Sequence, residues 1–127
     1  YYRAKSKYIH ETAKILLDQN NGIIPNTLSE ILRLPGVGRK TANVVLGNIY
    51  GISEGIAVDT HVVRLAQKYE LSRHSDPKKI EQDLMKLLPK EEWFDFTNRI
   101  IAYGREYCPA RNHDHKHCPL YKAIFTK

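Results

Sequence analysis

Apolar residues recur at helical spacing along most of this chain. Ile9, Thr12, Ala13, Leu16 and Leu17 share one face of a first helix that Gly22 ends. Asn26 or Thr27 caps a short helix carrying Leu28, Ile31 and Leu32. A glycine-rich turn follows, then a helix from about Lys40 with Val44, Val45, Leu46 and Ile49, stopped at Gly51. The loop "GISEG" leads through Ile56-Ala57-Val58 to Asp59, which caps a helix holding Val62, Val63, Leu65 and Ala66. Asp76-Pro77 starts another, with Ile80, Leu84, Leu87 and Leu88 inside and Pro89 at its end. A last long helix presents Trp93, Phe96, Ile100, Ile101 and Tyr103 before a His- and Lys-rich tail. Strand alternation never extends beyond short fragments, and nothing repeats. The pattern predicts an all-α chain of about six helices.

The turn reads "LPGVGRK", Leu34 to Lys40. Two glycines in three residues let successive N–H groups converge on one phosphate oxygen at the start of the next helix. Such a contact holds a nucleic-acid backbone without reading bases. A Walker-type loop is excluded by its spacing and its required strand, and a dinucleotide fingerprint by the missing third glycine. A plain helix-helix connection remains the alternative at this point.

Composition narrows the setting. The chain has 127 residues, which suits one domain spanning 1–127, and 42% apolar with 27% charged residues is a globular balance. No apolar run approaches the ~18 residues of a membrane helix, and no signal peptide opens the sequence. The net charge of +6 favours a polyanionic partner, and its distribution is uneven. Arg3, Lys5, Lys7 and Lys14 crowd the start; Arg99, Arg105, Arg111, Lys116, Lys122 and Lys127 crowd the end; residues 76–95 are net acidic. Cys108 and Cys118 are the only cysteines, which makes no disulfide framework and fits a reduced intracellular compartment.

The wider stretch "LPGVGRKTANVVL", followed by "AVDTHVVRLAQ", resembles the endonuclease III family of DNA repair glycosylases. The resemblance runs from about residue 1 to about residue 118 and is most specific in the middle. It implies a helix-hairpin-helix glycosylase fold, with the hairpin at 28–50, a partial helical barrel and a C-terminal helical region. It also implies a bifunctional glycosylase and abasic-site lyase, a monomer acting on double-stranded DNA with damaged bases or abasic sites. Lys40 falls on the family's catalytic lysine and Asp59 on its catalytic aspartate. Gly36, Val37, Gly38, Arg39 and Thr41 fall on the DNA-gripping turn. Adenine-removing relatives lack the lysine, so oxidised or ring-saturated pyrimidines are the implied substrates. Cytoplasm or nucleoid is the implied location for a prokaryotic member.

The residue types suit this chemistry. A lysine amine can attack C1′ of an extruded nucleotide and form an imine, after which β-elimination cuts the strand. Free lysine is almost entirely protonated at neutral pH. A helix start, Arg39 alongside and desolvation by bound DNA all disfavour the ammonium form of Lys40. Asp59 would stabilise cationic character on the sugar and shuttle protons. Read singly, Lys40 is a phosphate-contacting or solvated lysine and Asp59 a helix cap; Thr41, Asn43 and His61 read as structural neighbours. The reading from another class is a non-catalytic module that only grips the DNA backbone.

The family carries a [4Fe–4S] cluster on cysteines spaced C-x6-C-x2-C-x5-C. Laid on that spacing, Cys108 and Cys118 take the first and third places, with His115 at the second and Ile124 at the fourth. Isoleucine cannot ligate iron, so residues 108–127 are expected to stand in place of the iron–sulfur loop without a cluster. Cys108, His113, His115, His117 and Cys118 form a candidate zinc set, with Cys108, His115 and Cys118 foremost. Their order and spacing match no zinc pattern, and the expectation is a tail without metal. The family's N-terminal helices are also expected to be missing from this stretch, which implies an incomplete pocket for a damaged base and a preference for abasic DNA.

Overall fold

The structure, a computed structural model, describes residues 1–125; Lys127 of the basic tail lies outside them. Among the described residues it has seven α-helices and no strand. The all-α expectation is borne out, with one helix more than the periodicity showed. None of these helices is long and apolar enough to cross a membrane. The chain divides into two compact units, Tyr1–Glu54 and a second that begins at Gly55.

The first unit holds α1 (Tyr2–Asn20), α2 (Leu28–Ile31) and α3 (Arg39–Tyr50). Helix α1 ends where Asn21 and Gly22 turn left-handed, with φ of 53° and 75°. Thr27 caps α2 by accepting from the Glu30 amide. Ile31, Leu34, Ala42 and Leu46 form the buried cluster, with Ile15, Leu16, Ile24 and Val45 packed on it. Burying a side chain such as Ile31 or Leu46 stabilises by about 1.5–3 kcal/mol. The face assignments shift at two helices. In α1 the cluster takes Ile15 and Leu16, while Ile9 and Leu17 are exposed. In α3 it takes Ala42 and Leu46, one turn apart, while Val44 and Ile49 are exposed. The Tyr50 hydroxyl donates to the Ile24 carbonyl and ties the end of α3 to the loop before α2.

The second unit holds α4 (Thr60–Lys68), α5 (Pro77–Leu87), a 3₁₀ turn at Lys90–Glu92, α6 (Trp93–Glu106), a second 3₁₀ turn at His115–His117, and α7 (Pro119–Phe125). Helix α4 packs on both α5 and α6. Its Val62, Leu65 and Ala66 join Ile56, Ile80, Leu84 and Ile100 in one cluster. Gly104 of α6 allows the closest approach to α4: a Cβ there would come within 3.0 Å of Leu65 and 3.3 Å of His61. Leu87, expected inside, is exposed. Tyr69 and Tyr103 share a hydroxyl hydrogen bond of 2.9 Å, and Tyr103 accepts from the Leu120 amide, anchoring the start of α7. Burial, followed by that bond, pushes the Tyr69 phenol well above its ordinary range.

The hairpin turn is held from inside its own unit. Tyr8 and Thr12, one turn apart on α1, reach it together: Thr12 donates to the Pro35 carbonyl, and the Tyr8 ring lies against Gly36. Gly36 has φ of 72°, and a Cβ there would meet Tyr8 Cδ2 at 2.4 Å. Gly36→Ala should therefore destabilise the protein by about 1–3 kcal/mol, from left-handed strain plus the clash. Urea unfolding measures it. Adding Tyr8→Ala should recover part of the loss but not the backbone strain, and an undiminished midpoint in the single variant would contradict this account.

Candidate active site and DNA interface

Two helix starts carry the candidate chemistry, and they are built in opposite ways. Helix α3 opens at Gly38, in extended backbone, with no side-chain cap. The first amide to close a helical bond is that of Ala42, onto the Gly38 carbonyl at 3.0 Å. The amides of the first turn take no part in the helical ladder, and the positive end of the helix dipole lies with them. Nothing lies within 4 Å of a Cβ built on Gly38, so this side of the turn is open. Lys40 and Thr41 stand exposed in that first turn, with Arg39 half-buried before them.

The two glycines consequently do different work. Gly36 uses its missing Cβ to accept Tyr8, whereas Gly38 keeps the helix start clear. Val37 donates its amide to the Leu34 carbonyl at 3.2 Å, inside the turn. Of the three residues expected to cradle phosphate, Val37 therefore acts chiefly by shaping the loop.

Helix α4 starts with a cap. Asp59 Oδ1 accepts from the Val62 amide at 2.9 Å, so the cap reading is correct, and Oδ2 is left over from that bond. Asp59 is half-buried. The segment before it, Ile56-Ala57-Val58, is buried, and Thr97 of α6 donates to the Ala57 carbonyl at 2.8 Å from 40 positions away. That bond fixes the approach of the chain to Asp59. His61, in the same first turn, has a buried Nδ1 without a hydrogen-bond partner among the described residues. Tyr8, Thr12 and Thr97 escaped sequence reasoning. Their hydroxyls and ring act across 23 to 40 positions, and local periodicity carries no signal of that.

The tail forms a compact group. Ligand-capable atoms of Cys108, His113, His115 and Cys118 all lie within 4.8 Å of one another. His117 is not among them; it faces Asp114, Nδ1 to Oδ2 at 3.2 Å. The Lys116 amide donates to Asp114 and holds its carboxyl below the usual range. Burial, then the charge of Lys68, lowers His115 from the ordinary histidine range. Burial, then a hydrogen bond with Cys108, pushes the Cys118 thiol up. A cubane cluster calls for four thiolates. Two thiols and two imidazoles converge here while Ile124 is exposed, so these residues do not fit a [4Fe–4S] cluster.

Comparison with known proteins agrees with this architecture. Residues 1–90 match the model of the HhH-GPD superfamily base excision DNA repair protein. Endonuclease III of Synechocystis is 46% identical over 111 residues, covering 87% of this chain and 51% of the relative. Endonuclease III of Bacillus subtilis is 40% identical over 94% of this chain and 54% of its own length. A solved non-covalent endonuclease III–DNA complex superposes with a TM-score of 0.88 at 41% identity, over 98% of this chain and 58% of that one. A trapped endonuclease III–DNA covalent intermediate gives 0.86 at 42% identity, over 94% and 56%. The chain thus spans about half the length of the relatives it matches. The resemblance read from the hairpin and the "VDTHV" segment is borne out: the chain belongs to the HhH-GPD superfamily of base excision DNA repair proteins, and within it is similar to endonuclease III.

Proposed function

We propose that this chain carries the lysine-dependent chemistry of a bifunctional DNA glycosylase and abasic-site lyase. The observation that carries the proposal is Lys40, an exposed amine in the first turn of an uncapped hairpin helix. Its support is the similarity to endonuclease III, a protein solved as a trapped covalent intermediate with DNA. The first-turn amides of α3, with Gly36 and Gly38 leaving them accessible and Arg39 and Thr41 beside them, would hold a phosphate of the DNA backbone. Docked DNA would also exclude water from Lys40, since its own chain leaves it exposed.

The Lys40 Nζ lone pair then attacks C1′ of the extruded nucleotide. The bond to the base nitrogen breaks and the base leaves with a proton; the C1′–O4′ bond then opens, O4′ takes a proton, and an imine joins Lys40 to the sugar. Loss of a C2′ proton expels the 3′ phosphate and cuts the strand; water finally releases the lysine. Asp59 Oδ2 would stabilise positive charge developing on the sugar and carry protons. The substrates are double-stranded DNA bearing oxidised pyrimidines or abasic sites, met inside the cell.

Three variants test this reading. Borohydride should trap a covalent adduct between the protein and an abasic duplex, and Lys40→Ala should abolish it while duplex binding survives within about 10-fold. An adduct at full yield from that variant would remove Lys40 from the chemistry, and no adduct from the parent chain would favour the binding-only module. Asp59→Asn retains a good cap, so its unfolding midpoint should hold, yet single-turnover incision should slow by about 10²-fold or more. Gly38→Ala should cost at most about 1 kcal/mol, the preference of a helix cap for Gly over Ala, because its Cβ meets nothing, and should weaken duplex binding about 10-fold by crowding the phosphate. Unaltered affinity in that variant would place the DNA contact elsewhere.

A further inference from the structure

We propose that Cys108, His113, His115 and Cys118 form a tetrahedral Zn²⁺ site, a four-ligand structural centre in the stretch that aligns with the family's iron–sulfur loop. The inference is independent of the lysine chemistry. Linear spacing pointed to a tail without metal, because the order Cys-x4-His-x-His-x2-Cys matches no common zinc pattern. Folding makes the spacing secondary. Cys108 lies just beyond α6, His113 in the following loop, His115 in the 3₁₀ turn and Cys118 directly after it.

The distances suit one ion. Cys118 Sγ lies 3.3 Å from His113 Nε2 and 4.0 Å from His115 Nδ1; Cys108 Sγ lies 3.8 Å from His115 Nδ1. Tetrahedral zinc with Zn–S near 2.3 Å and Zn–N near 2.0–2.1 Å spaces sulfur and nitrogen about 3.6 Å apart. The observed separations straddle that value, so small side-chain movements close the shell.

The imidazoles are already oriented. His113 Nδ1–H donates to the Arg111 carbonyl at 2.9 Å, which fixes the tautomer and turns the Nε2 lone pair toward Cys118. The two histidine rings meet edge to face with centroids 4.1 Å apart, so each restricts the other. Arg64 brackets Cys108, donating to its carbonyl at 2.8 Å and lying 3.8 Å from its sulfur, as a donor toward a metal-bound thiolate would. Both cysteines are free and fully buried, while both histidines remain half-exposed at the mouth. Cys118 now donates its thiol proton to the Tyr107 carbonyl at 3.1 Å; metal binding releases that proton to solvent, along with the one from Cys108.

Soft thiolates with imidazole in a tetrahedral N₂S₂ set select zinc among common cations. All four positions come from the protein, which is the closed shell of a structural rather than a catalytic ion. Such an ion would tie the end of α6 to α7 in a segment that otherwise offers few apolar anchors.

The test uses the whole chain, purified under reducing conditions and dialysed against buffer without metal. Elemental analysis should find about one zinc per chain in a colourless protein, as a closed Cys₂His₂ shell requires. Cobalt(II) added to chelator-treated protein should give the visible bands of a tetrahedral site and a thiolate-to-metal charge-transfer band. His113→Ala, at a half-exposed position that the fold tolerates, should weaken zinc by more than the about 10–100-fold that loss of an outer-shell partner costs. His115→Ala should do the same, and chelation should lower the unfolding temperature of the parent chain but not of these variants. Iron with labile sulfide would overturn the proposal. So would zinc binding indifferent to both histidines, or a Cys108–Cys118 disulfide whose reduction restores no zinc uptake.

Discussion

Backbone donors at a helix start must find acceptors, and how each start is satisfied decides what it can do. Helix α4 meets the requirement internally, through the Asp59 carboxylate on the Val62 amide. Helix α3 has no such cap, because glycine stands where a capping side chain would be. Glycine at that position gives up only about a few tenths of a kcal/mol relative to a capping side chain, and α1 and α6 likewise start without a side-chain cap. Water can meet such donors, and so can a phosphate oxygen brought by a ligand. Lys40 stands exposed at the same open end.

Holding such an end in position takes rigid support from elsewhere. In the first unit Tyr8 and Thr12 press the turn from α1, with the left-handed Gly36 as the point of closest contact. In the second, Thr97 pins the buried chain entering Asp59. Neither support touches the proposed reacting atoms. Both fix backbone whose direction sets where a catalytic side chain points, so geometry at each helix start is inherited from packing some distance away.

The tail shows the same division between local sequence and assembly. Two cysteines and three histidines within eleven positions are a candidate metal set as a string, but their spacing matches no zinc pattern, and a basic, histidine-rich segment is commonly a solvated surface. Burial of both sulfurs against the cluster of the second unit changes what the string can be, since four donors then share a volume suited to a single ion. Under the zinc proposal, one ion would supply the cross-link here that an iron–sulfur cluster would otherwise give.

Periodicity and punctuation were enough for the helices, since i, i+3, i+4 spacing and caps such as Thr27, Asp59 and Asp76 are local properties of the chain. Lys40 and Asp59 could be proposed from sequence for a similar reason: each sits in a short, specific motif. Which side of each helix became core was not legible, as Leu17, Val44, Ile49 and Leu87 show by lying exposed. An amphipathic stripe is wider than the strip a neighbour covers, so only the neighbour's position selects among its residues. The separate tasks of Gly36 and Gly38, the reach of Thr97, and the convergence of Cys108, His113, His115 and Cys118 belong to tertiary structure alone. Each depends on atoms brought together by the path of the chain, and a one-dimensional pattern records spacing but not that path.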